Sequence, residues 1–208
     1  SSDIGVAKIT ANLPPNSLLD MLQSVGFGLS TQSGFPGEAA GVLPPYLRGR
    51  PLVTATVAFG YGISVTALQL ARAYAVIASG GFLRPVSFLK IDKIPDGKQV
   101  LSGIISGQIL NMLHSVLELG GTGTRANIQG YQVAGKTGTA HIAKPHGYYS
   151  DRYWSSFVGI APVSNPELVV VVVVKNPRGL YYGGSVAGPA FANIMLGALR
   201  VLNIPPDA

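Results

Sequence analysis

The sequence contains no cysteine, so disulfide staples, thiol nucleophiles and thiolate metal sites are excluded. Charge is sparse too. Only 12% of residues are charged against 47% apolar, the reverse of the balance that keeps a chain disordered. Long apolar runs are missing as well: the longest, Leu168 to Val174, has seven residues. A membrane-spanning helix needs about 20, and no basic-then-apolar leader opens the chain. Lysine and arginine total 15 against 9 acidic residues, giving a net charge of +6 and a pI near 9.7. They are scattered instead of clustered, which argues for a mildly basic solvated surface and against nucleic acid as a partner.

What is present is a turn-rich globular chain. Its 208 residues suffice for a buried core, and its 27 glycines and 15 prolines fall between periodic segments. Ser1 to Ile9 reads as a helix already under way. Asn16 or Ser17 caps a second helix through about Val25, with Leu18, Leu19, Leu22 and Val25 on one face. Gly26 to Pro51 is a long irregular stretch of the kind that is functional or mobile. A third helix is expected from Ser64 to Ser79, a strand from Arg84 to Ile94, and a further helix from Ser102 to Leu119, stopped by Gly120-Gly121. Three extended segments follow, at Tyr131 to Ala140, Tyr153 to Pro162 and Leu168 to Asn176, and their short connections favour antiparallel pairing. The unbroken Val169 to Val174 run predicts a central strand covered on both faces. A last helix is expected from Pro189 to Leu202. The fold class is therefore α/β (α+β): an antiparallel sheet packed between helices, with residues 1–208 in one domain.

The densest polar signal is Gly135-Lys136-Thr137-Gly138-Thr139-Ala140. With Gly130 it satisfies the phosphate-loop pattern, but that loop must open a helix, and Gly138, Pro145 and Gly147 follow instead. The other reading is an edge strand that displays Lys136 with two hydroxyls, Thr137 and Thr139, on one face. Gly138 between them lets a ligand backbone come close. Such a ledge suits a carboxylate, since Lys brings a charge and the hydroxyls bring donors. A lysine and two threonines that merely blunt a sheet edge fit the hexapeptide equally well.

Lys136-Thr137-Gly138-Thr139, taken with the opening Ser1-Ser2-Asp3, resembles the penicillin-binding proteins and serine β-lactamases, whose sites use Ser-x-x-Lys, Ser-x-Asn and Lys-Thr/Ser-Gly. The resemblance is closer to the class B penicillin-binding proteins of the cell-division (septal) type, which are peptidoglycan D,D-transpeptidases, and it covers nearly the whole chain. It is carried by Phe59 to Ala71, by Gly120-Gly121-Thr122-Gly123-Thr124, by Gly130 through Ala140, by Tyr181-Tyr182-Gly183-Gly184-Ser185 and by the closing Leu202 to Ala208. It implies the penicillin-binding, serine β-lactamase-like fold, incomplete at its N-terminus. It also implies an acyl transfer in which a serine attacks the D-Ala-D-Ala carbonyl of a stem peptide, and in which β-lactams are trapped.

Residue by residue, the resemblance makes Ser1 a proton relay, Lys136 a source of positive potential and the backbone N–H of Thr139 half of an oxyanion hole. Thr137, Gly138 and Thr139 would hold the substrate carboxylate, and Tyr153, Tyr181 and Tyr182 would wall the acyl side chain, although ordinary packing explains those aromatics equally well. Asp3 departs from the family's asparagine: ionised, it accepts but cannot donate. A helix-terminus residue without ligand contact, or a catalytically dead wall-binding or scaffolding domain, is the corresponding alternative. The only Ser-x-x-Lys match, Ser87-Phe88-Leu89-Lys90, falls on the expected strand, where its ends face opposite sides. The chain alone is therefore expected to be inactive. His114 on a helix surface, with His141 and His146 in a loop, makes no metal spacing, and no cofactor is implied. The implied partners are the stem peptide, β-lactams and cell-division proteins. The implied location is the periplasmic face of the bacterial inner membrane, reached through an N-terminal anchor outside this sequence.

Overall fold

A computed structural model describes residues 2–208. Its contacts divide the chain into two units, one running up to Ala73 and including Phe82–Val100, the other made of Tyr74–Gly81 and Leu101–Ala208.

The first unit begins with α1 (Asp3–Ala11), capped by Ser2, whose Oγ accepts from the Gly5 N–H at 3.0 Å. Helix α2 (Ser17–Ser24) starts at Asn16, which is left-handed at φ 69° and makes no side-chain cap. Its Oδ1 instead accepts from Leu47 N at 3.4 Å. Helix α3 (Pro51–Ala58) has no counterpart in the expected elements. Val53, Thr54, Thr56 and Val57 are β-branched and weak helix formers, but Pro51 at the first turn is pre-set for a helix. Leu19, Leu47 and Val57 then bury together with Leu18, Leu22 and Val53 around them. Helix α4 (Ala67–Ala78) begins three residues after the expected start.

The long 26–50 segment is tied down by two side chains. Gln69 is buried; its Nε2 donates to Leu29 O and Ala40 O at 2.7 and 2.8 Å, and its Oε1 accepts from Thr66 N. Glu38 accepts from Thr31 Oγ1, from Thr31 N at 2.8 Å, from Ser30 Oγ at 2.9 Å and from Ser33 Oγ at 3.1 Å. The expected strand from Arg84 to Ile94 is not formed: only β1 (Phe82–Leu83) pairs, with β2 (Lys98–Gln99). Pro85 and Pro95 remove ladder donors, and Phe88, Leu89 and Ile91 are all exposed, so the alternation had no buried face to serve. Ser87 lies off any helix, with its Oγ donating to Leu89 O at 2.8 Å.

The second unit carries α5 (Gly103–His114), capped by Ser102 Oγ on Ile105 N. The helix stops at His114, short of the expected Leu119, and continues as a 3₁₀ turn over Ser115–Leu117. Strands β3 (Ala134–Lys144), β4 (Gly147–Ala161) and β5 (Leu168–Lys175) form an antiparallel sheet in that order. Among the described residues β4 is therefore central, and β5 is an edge. The two faces of the valine run are unequally covered. Leu168, Val170 and Val172 pack on the core, whereas on the other face Val169 and Val171 are half-buried and Val173 is exposed. Helix α6 (Gly183–Val201) starts six residues before Pro189, which sits exposed inside it. Phe157, Phe191, Met195 and Leu199 are fully buried where α6 covers the sheet. The two phenylalanine rings lie 4.7 Å apart. His114, expected on a helix surface, is half-buried with Nδ1 2.8 Å from Val133 O, so the end of α5 is fastened to the entry of β3. The C-terminal tail fastens the same entry: Gln132 N donates to Asp207 at 2.7 Å and Tyr131 Oη donates to Ile204 O at 2.7 Å.

The Glu38 knot has a pH signature. Donation from the Thr31 hydroxyl, opposed by burial and reinforced by Thr31 N, Ser30 and Ser33, lowers its carboxyl from 4.5 to about 2. A depressed carboxyl stabilises the fold above its unfolded value and ceases to do so as the pH falls through its folded value. Backbone amides of residues 30–40 are thus expected to lose hydrogen-exchange protection as the pH falls from about 4.5 to about 2. Glu38→Gln should lack that step at every pH.

Candidate functional site

Strand β3 lies at the edge of the sheet, as the ledge reading requires. Its register places Thr137 opposite Phe157, Thr139 opposite Ser155 and His141 opposite Tyr153. Alternate residues share a face, so Thr137, Thr139 and His141 line the side on which Phe157 meets α6. Lys136 Nζ donates to Thr137 O at 3.0 Å and approaches Thr137 Oγ1 at 3.4 Å. Charge and hydroxyl are thereby gathered at one point.

The N-terminus of α6 closes on this ledge. Gly183 N donates to Thr139 Oγ1 at 2.9 Å, and the buried Ser155 hydroxyl donates to Tyr181 O. A side chain at Gly183 would start 2.3 Å from Gly138 O and 2.4 Å from Ser156 O; one at Gly184 would start 2.2 Å from Thr122 O. Backbone approaches that close explain why α6 opens on two glycines despite their poor helix propensity. The positive end of a 19-residue helix therefore lies beside Lys136 and both hydroxyls. Gly138 has a local reason as well: its Cβ would meet Ser156 Oγ at 2.4 Å.

Thr122 was not singled out by the sequence reading, yet its Oγ1 is 3.0 Å from Thr137 Oγ1 and adds a third hydroxyl. The Gly120 to Thr124 segment that carries it resembled the family, but nothing in its spacing gave the side chain a role.

The three tyrosines do come together. Tyr153 and Tyr181 stack at 4.2 Å and 14°, and Tyr181 meets Tyr182 at 4.5 Å. His141, expected in a loop, is on β3, with its ring 4.6 Å from Tyr153. The strand continues past the expected end at Ala140 because β4 begins at Gly147 and pairs with it almost to the turn. The hydrogen bond from Tyr181 to Tyr182, together with the neighbouring phenols and some burial, raises the Tyr181 pKa, so that phenol is uncharged at neutral pH. Asp3 belongs to the first unit, exposed in the opening turn of α1, where a carboxylate suits the helix N-terminus. Ser1 lies outside the described residues. Among the described residues, no three His, Asp or Glu side chains gather as a metal site.

The penicillin binding protein transpeptidase domain family matches residues 1–196. Peptidoglycan D,D-transpeptidase FtsI of Escherichia coli K12 is 43% identical over the whole chain, and probable peptidoglycan D,D-transpeptidase PenA of Neisseria meningitidis is 41% identical over 99% of it. The chain spans 36% of the length of each of these relatives. The apo transpeptidase domain of penicillin-binding protein 3 from Burkholderia pseudomallei superposes with a TM-score of 0.93 at 42% identity, over 100% of this chain and 63% of that one.

Since the two carbonyls facing Gly183 are backbone atoms that cannot swing away, Gly183→Ala is expected to destabilise the second unit by about 1–3 kcal/mol. A lowered denaturant midpoint at unchanged slope would register it.

Proposed function

The chain belongs to the penicillin-binding protein transpeptidase family, and from that membership we propose that it supplies the substrate-binding half of a peptidoglycan D,D-transpeptidase. The observation that carries the reading is the ledge: two hydroxyls at the sheet edge, beside an ammonium and a helix N-terminus. That assembly is built for an anion, and the C-terminal carboxylate of a D-Ala-D-Ala stem peptide is the anion the family handles.

In this mechanism Lys136 sets the positive potential, and Thr137 and Thr139 hold the carboxylate by charge-assisted hydrogen bonds. Gly138 keeps the strand low, so that substrate backbone runs alongside it. The Thr139 N–H stabilises the oxyanion that develops when the serine attacks; preorganised donors of this kind are worth about 10²–10³ in rate. Ser1 relays the proton toward the leaving nitrogen, with Asp3 nearby in sequence as an acceptor that helps orient a lysine. Tyr153, Tyr181 and Tyr182 pack the acyl side chain. The acyl-enzyme then passes to an amine of a neighbouring strand, and a β-lactam stops at that stage. Ser87 is not assigned as the nucleophile, because it lies off any helix and its hydroxyl is committed to Leu89 O. The serine acts from a Ser-x-x-Lys segment upstream of Ser1. Cell-division proteins are the partners of such an enzyme, and its place is the periplasmic face of the inner membrane. No helix among the described residues is long and apolar enough to cross a membrane.

A fluorescent penicillin is expected to leave this chain unlabelled and to label covalently a chain extended upstream to the length of the relatives. In the extended chain, Lys136→Ala should slow labelling by about 10²-fold or more. An extended, folded chain that takes no label would overturn the proposal.

A further inference from the structure

The Thr139 hydroxyl has a fixed direction, and the groups that fix it are not part of the ledge. Its oxygen accepts from the Gly183 N–H at 2.9 Å. An N–H only donates, so the hydroxyl proton cannot point toward α6. No protein acceptor takes that proton among the described residues. It is left to the open side of the strand. What keeps Gly183 in place is the turn before it. Ser155 lies directly across from Thr139 on β4, is completely buried, and donates to the carbonyl of Tyr181, two residues ahead of Gly183. The same bond holds the Tyr181 ring against Tyr153, the next residue on that face of β4. A hydroxyl at this place is unexpected on packing grounds alone. It faces the interior beside Phe157, where alanine or valine would serve as well unless the bond to Tyr181 matters.

We propose that Ser155 and the Gly183 N–H are positioning groups that hold Thr139 as an outward-pointing donor, so that the ledge selects an ionised carboxylate over its primary amide. The inference rests on the carboxylate reading given above and adds the source of its selectivity. Freed from Gly183, the Thr139 hydroxyl would turn and donate or accept as the ligand required, and a primary amide, whose NH2 needs an acceptor, would be tolerated more nearly as well. Held as it is, it presents only a proton, which an anion takes best.

The test compares acylation of the upstream-extended chain by benzylpenicillin and by the primary amide of its carboxyl group, with Ser155→Ala and Ser155→Cys alongside the parent. The parent is expected to favour the acid by about 100-fold, the scale of losing charge-assisted hydrogen bonds. Ser155→Ala should cut that preference about tenfold, with the change in half-saturation and not in the limiting rate, as one charge-assisted bond loosens. Ser155→Cys, which keeps a weak donor of similar size, should fall between them. A Ser155→Ala chain that keeps the full preference overturns the proposal and leaves the carboxylate reading standing. A parent with no preference overturns the carboxylate reading and the proposal together. Should Ser155→Ala not fold, the 208-residue chain provides a second measurement: Gly183 amide exchange is expected to be slow in the parent and in Thr139→Ser, and fast in Thr139→Val. Equal exchange in all three would overturn the proposal as decisively.

Discussion

The contact on which the second unit depends is the seating of the α6 N-terminus on strand β3. A helix end leaves four N–H groups without helical partners. Here Gly183 spends one of them on Thr139, while Ser185 and Val186 both donate to Tyr182 O. Two consecutive glycines are needed because backbone oxygens of β3, β4 and the Thr122 loop lie 2.2 to 2.4 Å from where a Cβ would sit, well inside contact distance. Farther along, the same helix lays Phe191, Met195 and Leu199 over Phe157 with no remaining exposure. Fully buried side chains of this kind contribute roughly 1.5–3 kcal/mol each. The apolar end of α6 thus fixes where its polar end must fall. Core packing and site geometry are set by one rigid element.

Much of this was legible in the sequence. The three strands that build the sheet were readable from alternation and turn residues, and Lys136-Thr137-Gly138-Thr139 was rightly placed on an edge strand. The features that failed to show share a cause: each depended on a neighbour distant in the chain. Gly183-Gly184 reads locally as a breaker, and only the carbonyls of Gly138 and Thr122 turn it into a helix start. Val169 to Val174 reads as doubly covered, and only the packing shows that Val173 is left exposed on one face. Phe88, Leu89 and Ile91 lie in a stretch that reads as a strand, yet all three stay exposed, with Phe88 meeting the Phe35 ring edge-on at 6.1 Å. Helix α3 ran against the propensity of its own β-branched residues and is held by Leu19 and Leu47. Periodicity reports which face could be buried, not whether something arrives to bury it.

The same limit applies within the site. Residue types announced an ammonium and two hydroxyls, but which way a hydroxyl points depends on what it accepts, and that was set by a glycine 44 positions later. Thr122 could not be found at all from spacing, because its partner Thr137 is 15 residues away on another element. Polar networks of this sort escape a one-dimensional reading even when every member has been noticed.

The arrangement also separates two kinds of recognition along one strand. At Lys136 to Thr139 the protein offers charge and directed donors. Two residues on, His141 begins an aromatic row that runs through Tyr153 and Tyr181 to Tyr182. Hydrogen bonding between the last two phenols raises the Tyr181 pKa and keeps that phenol protonated. In the proposed function, a ligand with an anionic end and a bulky apolar arm would be read by different physics at its two ends. Because Ser155 fastens Tyr181 to the strand that faces Thr139, neither reading surface can shift without moving the other. Coupling through one buried hydroxyl makes the spacing between the ledge and the aromatic row a property of the fold.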